Sequence, residues 1–149
     1  MVEIIPSSDA FDISRFNSFC KKNDLSFPQD YINYIKEYND GELEENLVDG
    51  FDDISIRYFF GTTGESYSDL EWNYECLLGR IPAKCVPIAE VEGGDLICMS
   101  LQPGSFGSVY YWDHDTMDVD TGDMCDYGVE ELQAVASSFS ELIEKINPV

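Results

Sequence analysis

The residues best able to do chemistry crowd into one stretch, Val109 to Asp123, which reads VYYWDHDTMDVDTGD. It holds five aspartates and the chain's single histidine, His114. Closely spaced carboxylates suggest calcium, an imidazole beside carboxylates suggests a general base, and mixed nitrogen and oxygen donors suggest a transition metal. Each suggestion fails on spacing. An EF-hand loop needs oxygen ligands at its positions 1, 3 and 5, glycine at 6 and glutamate at 12. Counted from Asp118, Gly122 falls at position 5 and Val129 at 12. Counted from Asp113, Met117 falls at 5 and Asp118 at 6. A zinc site wants three or four His or Cys ligands, and one histidine between two aspartates does not supply them, even if Cys125 reached back. His114 has no nucleophile motif to serve. Weak calcium binding or a hydrolytic role at Asp113 to Asp123 is left as an alternative, and the main reading assigns no metal, no cofactor and no catalytic residue. The paired glycines Gly93-Gly94 lack the lysine-ended pattern of a phosphate loop.

The elements around that stretch follow from periodicity. Ile13, Phe16, Phe19 and Cys20 share a helical face, with Asp9 or Asp12 as cap and Lys21-Lys22 in the last turn. Tyr31, Tyr34, Ile35 and Tyr38 predict a second helix, with Pro28 in its first turn and Asp40-Gly41 as its stop. Ile54, Ile56 and Tyr58 alternate as one face of a strand. Ser68 and Glu71 have capping-box spacing before Leu70, Tyr74, Leu77 and Leu78. Strands are expected over Cys85–Val91, Leu96–Leu101 and Ser108–Asp113, joined by short turns that suit antiparallel pairing. Pro87 argues for an edge or a strand start, and Leu96–Leu101 should be central. Within 109–114, Val109, Tyr111 and Asp113 share one face and Tyr110, Trp112 and His114 the other. Tyr127–Ala136 fits strand or helix equally. Ser138 and Glu141 cap a last helix with Phe139, Leu142, Ile143 and Ile146 on one face. This order predicts a single α+β domain over 1–149, with helices packed against a mostly antiparallel sheet.

Composition narrows function. Thirty acids face eight bases, a net charge of −22 over 149 residues. Residues 85–144 hold thirteen acids and no Lys or Arg, and residues 40–53 hold seven acids and no base. Such a chain repels nucleic acid and anionic membranes and attracts a basic partner. The absence of an apolar span and of a basic N-terminal leader predicts a cytoplasmic chain. Five cysteines without C-x-x-C spacing are then expected to be free thiols. One acidic patch is expected at Glu42, Glu44, Glu45, Asp49, Asp52 and Asp53. A second is expected at Asp113, Asp115, Asp118, Asp120 and Asp123, with Tyr110 and Trp112 as aromatic anchors.

Four segments together resemble the SUKH superfamily, which contains fungal cell-wall-assembly regulators and bacterial immunity proteins. They are Phe27-Pro28-Gln29-Asp30-Tyr31 running to Tyr38-Asn39-Asp40-Gly41, Gly93-Gly94-Asp95 to Leu101, Gly107 to Asp115, and Val135 to Leu142. The chain departs from the family's pattern at Asp40, at Ser100 and in the long acidic connection 42–53. The resemblance implies a non-enzymatic bacterial immunity protein, with a monomer favoured. Such a protein binds and neutralises a cognate toxin domain of a polymorphic toxin system, many of which are nucleases. The alternative it implies is an adaptor domain for an endogenous signalling or cell-wall enzyme.

Overall fold

A computed structural model of the chain describes residues 4–5, 10–43, 47–51, 54–118, 125 and 127–146, with only the backbone of Glu42. Among them, a seven-stranded sheet runs in simple chain order, every neighbour antiparallel. The strands are β1 (Ile4–Ile5), β2 (Glu42–Leu43), β3 (Ile56–Phe59), β4 (Cys85–Val91), β5 (Leu96–Ser100), β6 (Val109–Trp112) and β7 (Gln133–Ala136). The helices are α1 (Ile13–Asn23), α2 (Gln29–Tyr38), α3 (Leu70–Cys76), α4 (His114–Met117) and α5 (Phe139–Lys145). This is the expected α+β arrangement of helices and antiparallel sheet. Every residue of β5 is buried, so the sheet is covered on both faces there, as a central strand requires.

The caps explain most of the helix ends. Asp12 accepts the Arg15 N–H at the start of α1, and Asp24, at φ 53°, ends it in the left-handed region. Phe16 and Phe19 form its packed face, while Ile13, in the first turn, stays exposed. Pro28 sits one residue earlier than expected, as the extended N-cap of α2. The cap of α3 is Asp69, not Ser68: its carboxylate accepts the Trp72 N–H, and Ser68 closes the preceding 3-10 turn, Ser66–Ser68. Leu78 lies beyond the end of α3 and is exposed. Ser138 caps α5 through the Glu141 N–H as predicted. The ambiguous stretch before it resolves into a 3-10 turn, Val129–Glu131, and β7.

Three register shifts break the simple alternation, one of them between Val109 and Tyr110 where β6 meets β7. The register shifts between Ile56 and Tyr58, which turns Phe59 inward and leaves Tyr58 half-buried. It shifts again between Pro87 and Ala89, and this lets Pro87 sit in an interior strand rather than at an edge.

A run of rings joins the helices to the sheet. Phe16 packs on Phe27, Phe27 stacks on Tyr31 at 5.2 Å, and Tyr31 meets Phe139 edge-on at 5.2 Å. Phe139 also contacts Tyr34 and Phe59, so α2, α5 and β3 share one aromatic centre. A buried polar seam lies beside it. The Asn39 Nδ2 group donates to the Thr62 carbonyl at 3.0 Å, and the Thr62 N–H donates to Asn39 Oδ1 at 2.7 Å. The Asp12 N–H donates to Thr62 Oγ1 at 2.8 Å, bringing the start of α1 to the same point. Arg15 donates to the Thr63 carbonyl and to buried Asp69, each at 2.7 Å.

These contacts predict two stability effects, both read by urea unfolding. Phe139→Ala is expected to cost ~3–5 kcal/mol, and Phe106→Ala, at an exposed ring, under ~0.5 kcal/mol. Asn39→Ala is expected to cost ~1–3 kcal/mol for each Thr62 backbone group it orphans. An unchanged unfolding midpoint for Asn39→Ala would mean that solvent replaces the side chain.

Candidate binding surface

The opening stretch folds back on the second motif. The β5–β6 register sets Leu96 opposite Trp112, which places Asp95 beside Tyr111 and His114. Asp95 Oδ1 accepts the backbone N–H of His114 at 2.9 Å and lies 2.5 Å from its Nδ1. Asp95 Oδ2 accepts the Tyr111 hydroxyl. The imidazole Nε2 lies 3.3 Å from Asp115 Oδ1. Gly93 and Gly94, at φ 97° and 98°, supply the positive-φ backbone of the turn that carries Asp95 to His114.

The electrostatics follow from those contacts. The hydrogen bond to Asp95 raises the His114 pKa above its ordinary value, desolvation opposes it, and the charges of Asp115, Asp95 and Asp113 add to the rise. For Asp95 burial pushes upward, but the bonds from Tyr111 and from the His114 backbone and ring outweigh it and lower the pKa.

Asp95, Asp113 and His114 could each offer a ligand atom within a 4.8 Å cluster. The donors are already spent, however. Both Asp95 oxygens accept hydrogen bonds, and Asp113 Oδ1 accepts the Asp115 N–H as the N-cap of α4. A cation would have to displace this network, so the residues fit a fastening better than a metal centre. Among the described residues, the contacts of His114 are with the carboxylates of Asp95 and Asp115.

The predicted site residues separate. Trp112 is 2% exposed and donates its indole N–H to the Tyr127 hydroxyl at 3.0 Å, so it is a core residue and cannot be a partner anchor. Tyr110 is half-buried and lines an open groove with Phe51, Ala134 and Lys145. Asp113 is a helix cap, and Asp115 is exposed. Asp118 is paired with Arg80, its side chain only 16% exposed, so it is not part of an open acidic patch. Asp49 is exposed, and its N–H donates to the Lys145 carbonyl at 2.6 Å. Glu44, Glu45, Asp52, Asp53, Asp120, Asp123 and the side chain of Glu42 lie outside the described residues.

The exposed aromatics are elsewhere. Tyr67 is 59% exposed and Trp72 48%. The signal for Trp72 was available: it falls off the apolar face defined by Leu70 and Tyr74.

Among the described residues, no helix is long and apolar enough to cross a membrane. The five cysteines are free. A profile of the SMI1 / KNR4 family (SUKH-1) matches residues 12–145. The SPbeta prophage-derived uncharacterized protein YokK of Bacillus subtilis (strain 168) is 23% identical over 136 residues, which cover 78% of this chain and 64% of the relative. The chain therefore spans under two thirds of that relative's length.

The His114–Asp95 pair predicts a pH dependence. A raised histidine pKa contributes stability that is complete below about 6.5 and fades as pH rises through the raised value. A lowered Asp95 pKa contributes above the ordinary carboxylate value and fades as pH falls through the lowered one. Both groups are charged in the acid window between them. The loss of unfolding free energy in His114→Gln should therefore be larger near about pH 5.5 than near about pH 9, and smaller again in about 1 M salt because the ring is exposed. An equal loss at both pH values would assign the effect to packing alone.

Proposed function

The chain belongs to the SMI1 / KNR4 family (SUKH-1), and on that premise we propose that it is an immunity protein, acting without chemistry by covering a basic toxin domain. Immunity proteins are among the members of this family. The observation that carries the reading is uncompensated acid. Among the described residues, Arg15, Lys22, Arg57, Arg80, Lys84 and Lys145 are all in ion pairs with acids of the chain itself. The bases are thus mostly spent internally, while the chain retains a net charge of −22.

A toxin that cuts nucleic acid must bind phosphates, so its working face is basic. A surface dense in carboxylates competes for that face. Opposite charges also speed encounter, to as much as ~10⁸–10⁹ M⁻¹s⁻¹ at low salt, and an inhibitor must arrive before the toxin turns over. The prophage origin of the relative YokK is in keeping with this, since a toxin and its neutraliser must be inherited together and a prophage is one inherited block. An adaptor role would use the same acidic surface on an endogenous basic partner, without any toxin.

The test is co-expression with a toxin domain encoded beside this gene. The chain should restore growth and form a complex that weakens at least about tenfold as salt rises from low to physiological strength. Neutralising Glu42, Glu44, Glu45, Asp49, Asp52 and Asp53 together should slow association about tenfold or more. No rescue and no complex would overturn the reading, and a complex indifferent to salt would overturn its electrostatic part.

A further inference from the structure

Helices α2 and α5 leave an open groove of about 340 Å³ between them. Its apolar wall is Tyr34, Phe139 and Ile143, and its charged residues are Asp30, Glu37 and Glu144, with no base among the lining groups. Glu37 and Glu144 are exposed. Asp30 accepts the Ser140 N–H at 3.0 Å and the Ser140 hydroxyl at 2.9 Å. Tyr34 is nine-tenths buried in this wall, and its hydroxyl has no hydrogen-bond partner among the described residues.

Leu43 of β2 pairs with Ile4, itself a lining residue, and Val48 bridges Ile146 just past the end of α5. One surface thus combines an apolar cleft with a rim whose charged residues are all acidic.

We propose that this groove between α2 and α5 receives a basic, amphipathic segment of the partner protein, its apolar side chains in the cleft and its lysines or arginines against Glu37 and Glu144. Charge selects the occupant. A nucleic acid or an anionic membrane carries the same sign as the rim, and a second copy of this chain would bring acid to acid. An apolar face alone would admit many ligands, and the rim restricts them to cations. The inference rests on the proposed function only for the identity of the partner.

The experiment compares two double charge reversals. Glu37→Lys/Glu144→Lys alters the rim, and its lysines fall in or near the last turns of α2 and α5, where positive charge suits the helix dipole. Glu130→Lys/Glu131→Lys makes the same change in net charge on the exposed turn before β7. Unchanged circular dichroism and urea midpoints verify both folds. The probe is a synthetic helical leucine–lysine peptide, followed by amide chemical shifts and by fluorescence anisotropy. The expected result is shift changes concentrated on α2 and α5, with binding weakened about tenfold or more by the groove variant and under about threefold by the control.

Equal weakening by both variants, or shifts centred elsewhere, would overturn the proposal, as would self-association of the wild-type chain through α2 and α5. The toxin domain is then titrated in place of the peptide. A toxin that binds wild type and groove variant equally overturns the groove and leaves the immunity reading standing. A peptide held in the groove, with no toxin rescued, supports the groove and removes the immunity reading.

Discussion

A buried polar group must find a partner, and Asn39 is where this fold meets that demand most completely. Its side-chain amide exchanges hydrogen bonds with both backbone groups of Thr62, so it mimics a strand partner at the point where α2 ends. Its own backbone has φ 51° and ψ −123°, a positive-φ conformation that residues other than glycine rarely adopt. Gly61 has to be glycine for the clamp to close, because a Cβ there would stand 2.3 Å from Asn39 Oδ1. Through Thr62, Thr63 and Asp69 the same seam captures the start of α1, the turn after β3 and the cap of α3. The aromatic core supplies much of the burial. The seam sets where three helices begin or end around it.

The four motif segments meet in two pairs, and this changes what their residues mean. Asp30, from the first, reaches the α5 N-terminus formed by the fourth, where it satisfies the Ser140 N–H that the helix cannot. Tyr31 and Phe139, one residue along in the first segment and one residue back in the fourth, touch in the core. Asp95, from the second, ties Tyr111 and His114 of the third. Residues that look chemical in the sequence are therefore fasteners between distant parts of the chain. A resemblance carried by them speaks for the fold, and the partner must be sought on the surfaces they leave open.

What was legible in the sequence was whatever depends on neighbours along the chain. Cys85–Val91 is a strand because its composition and flanking turns say so, and α5 starts at Ser138 because its cap is local. What depends on distant pairing was hidden. Alternation in β6 divides Tyr110 and Trp112 from Val109 and Tyr111 but cannot say that Tyr127 closes over Trp112. The second acidic patch counted Asp118 as open charge, although Arg80, thirty-eight residues away, neutralises it. Pro87 read as an edge because a proline offers no N–H, and only the bulge beside it makes an interior position acceptable. The groove between α2 and α5 had no signature, since Glu37 and Glu144 are ordinary exposed residues until the two helices lie side by side.

Excess charge of one sign has a cost that internal pairing does not remove. Self-repulsion among surplus carboxylates works against the compact state, and exposed ion pairs return at most ~1 kcal/mol each. Three of the described bases hold structure: Arg15 at the seam, Arg80 on Asp118, and Lys145 on the Val135 carbonyl at the outer strand of the sheet. None of the described bases lines the α2–α5 groove. A folded chain that only needed solubility could reach it with a much smaller net charge. Holding −22 against its own repulsion is reasonable when the compensating positive charge arrives from outside, and the same repulsion then becomes part of the driving force for binding it.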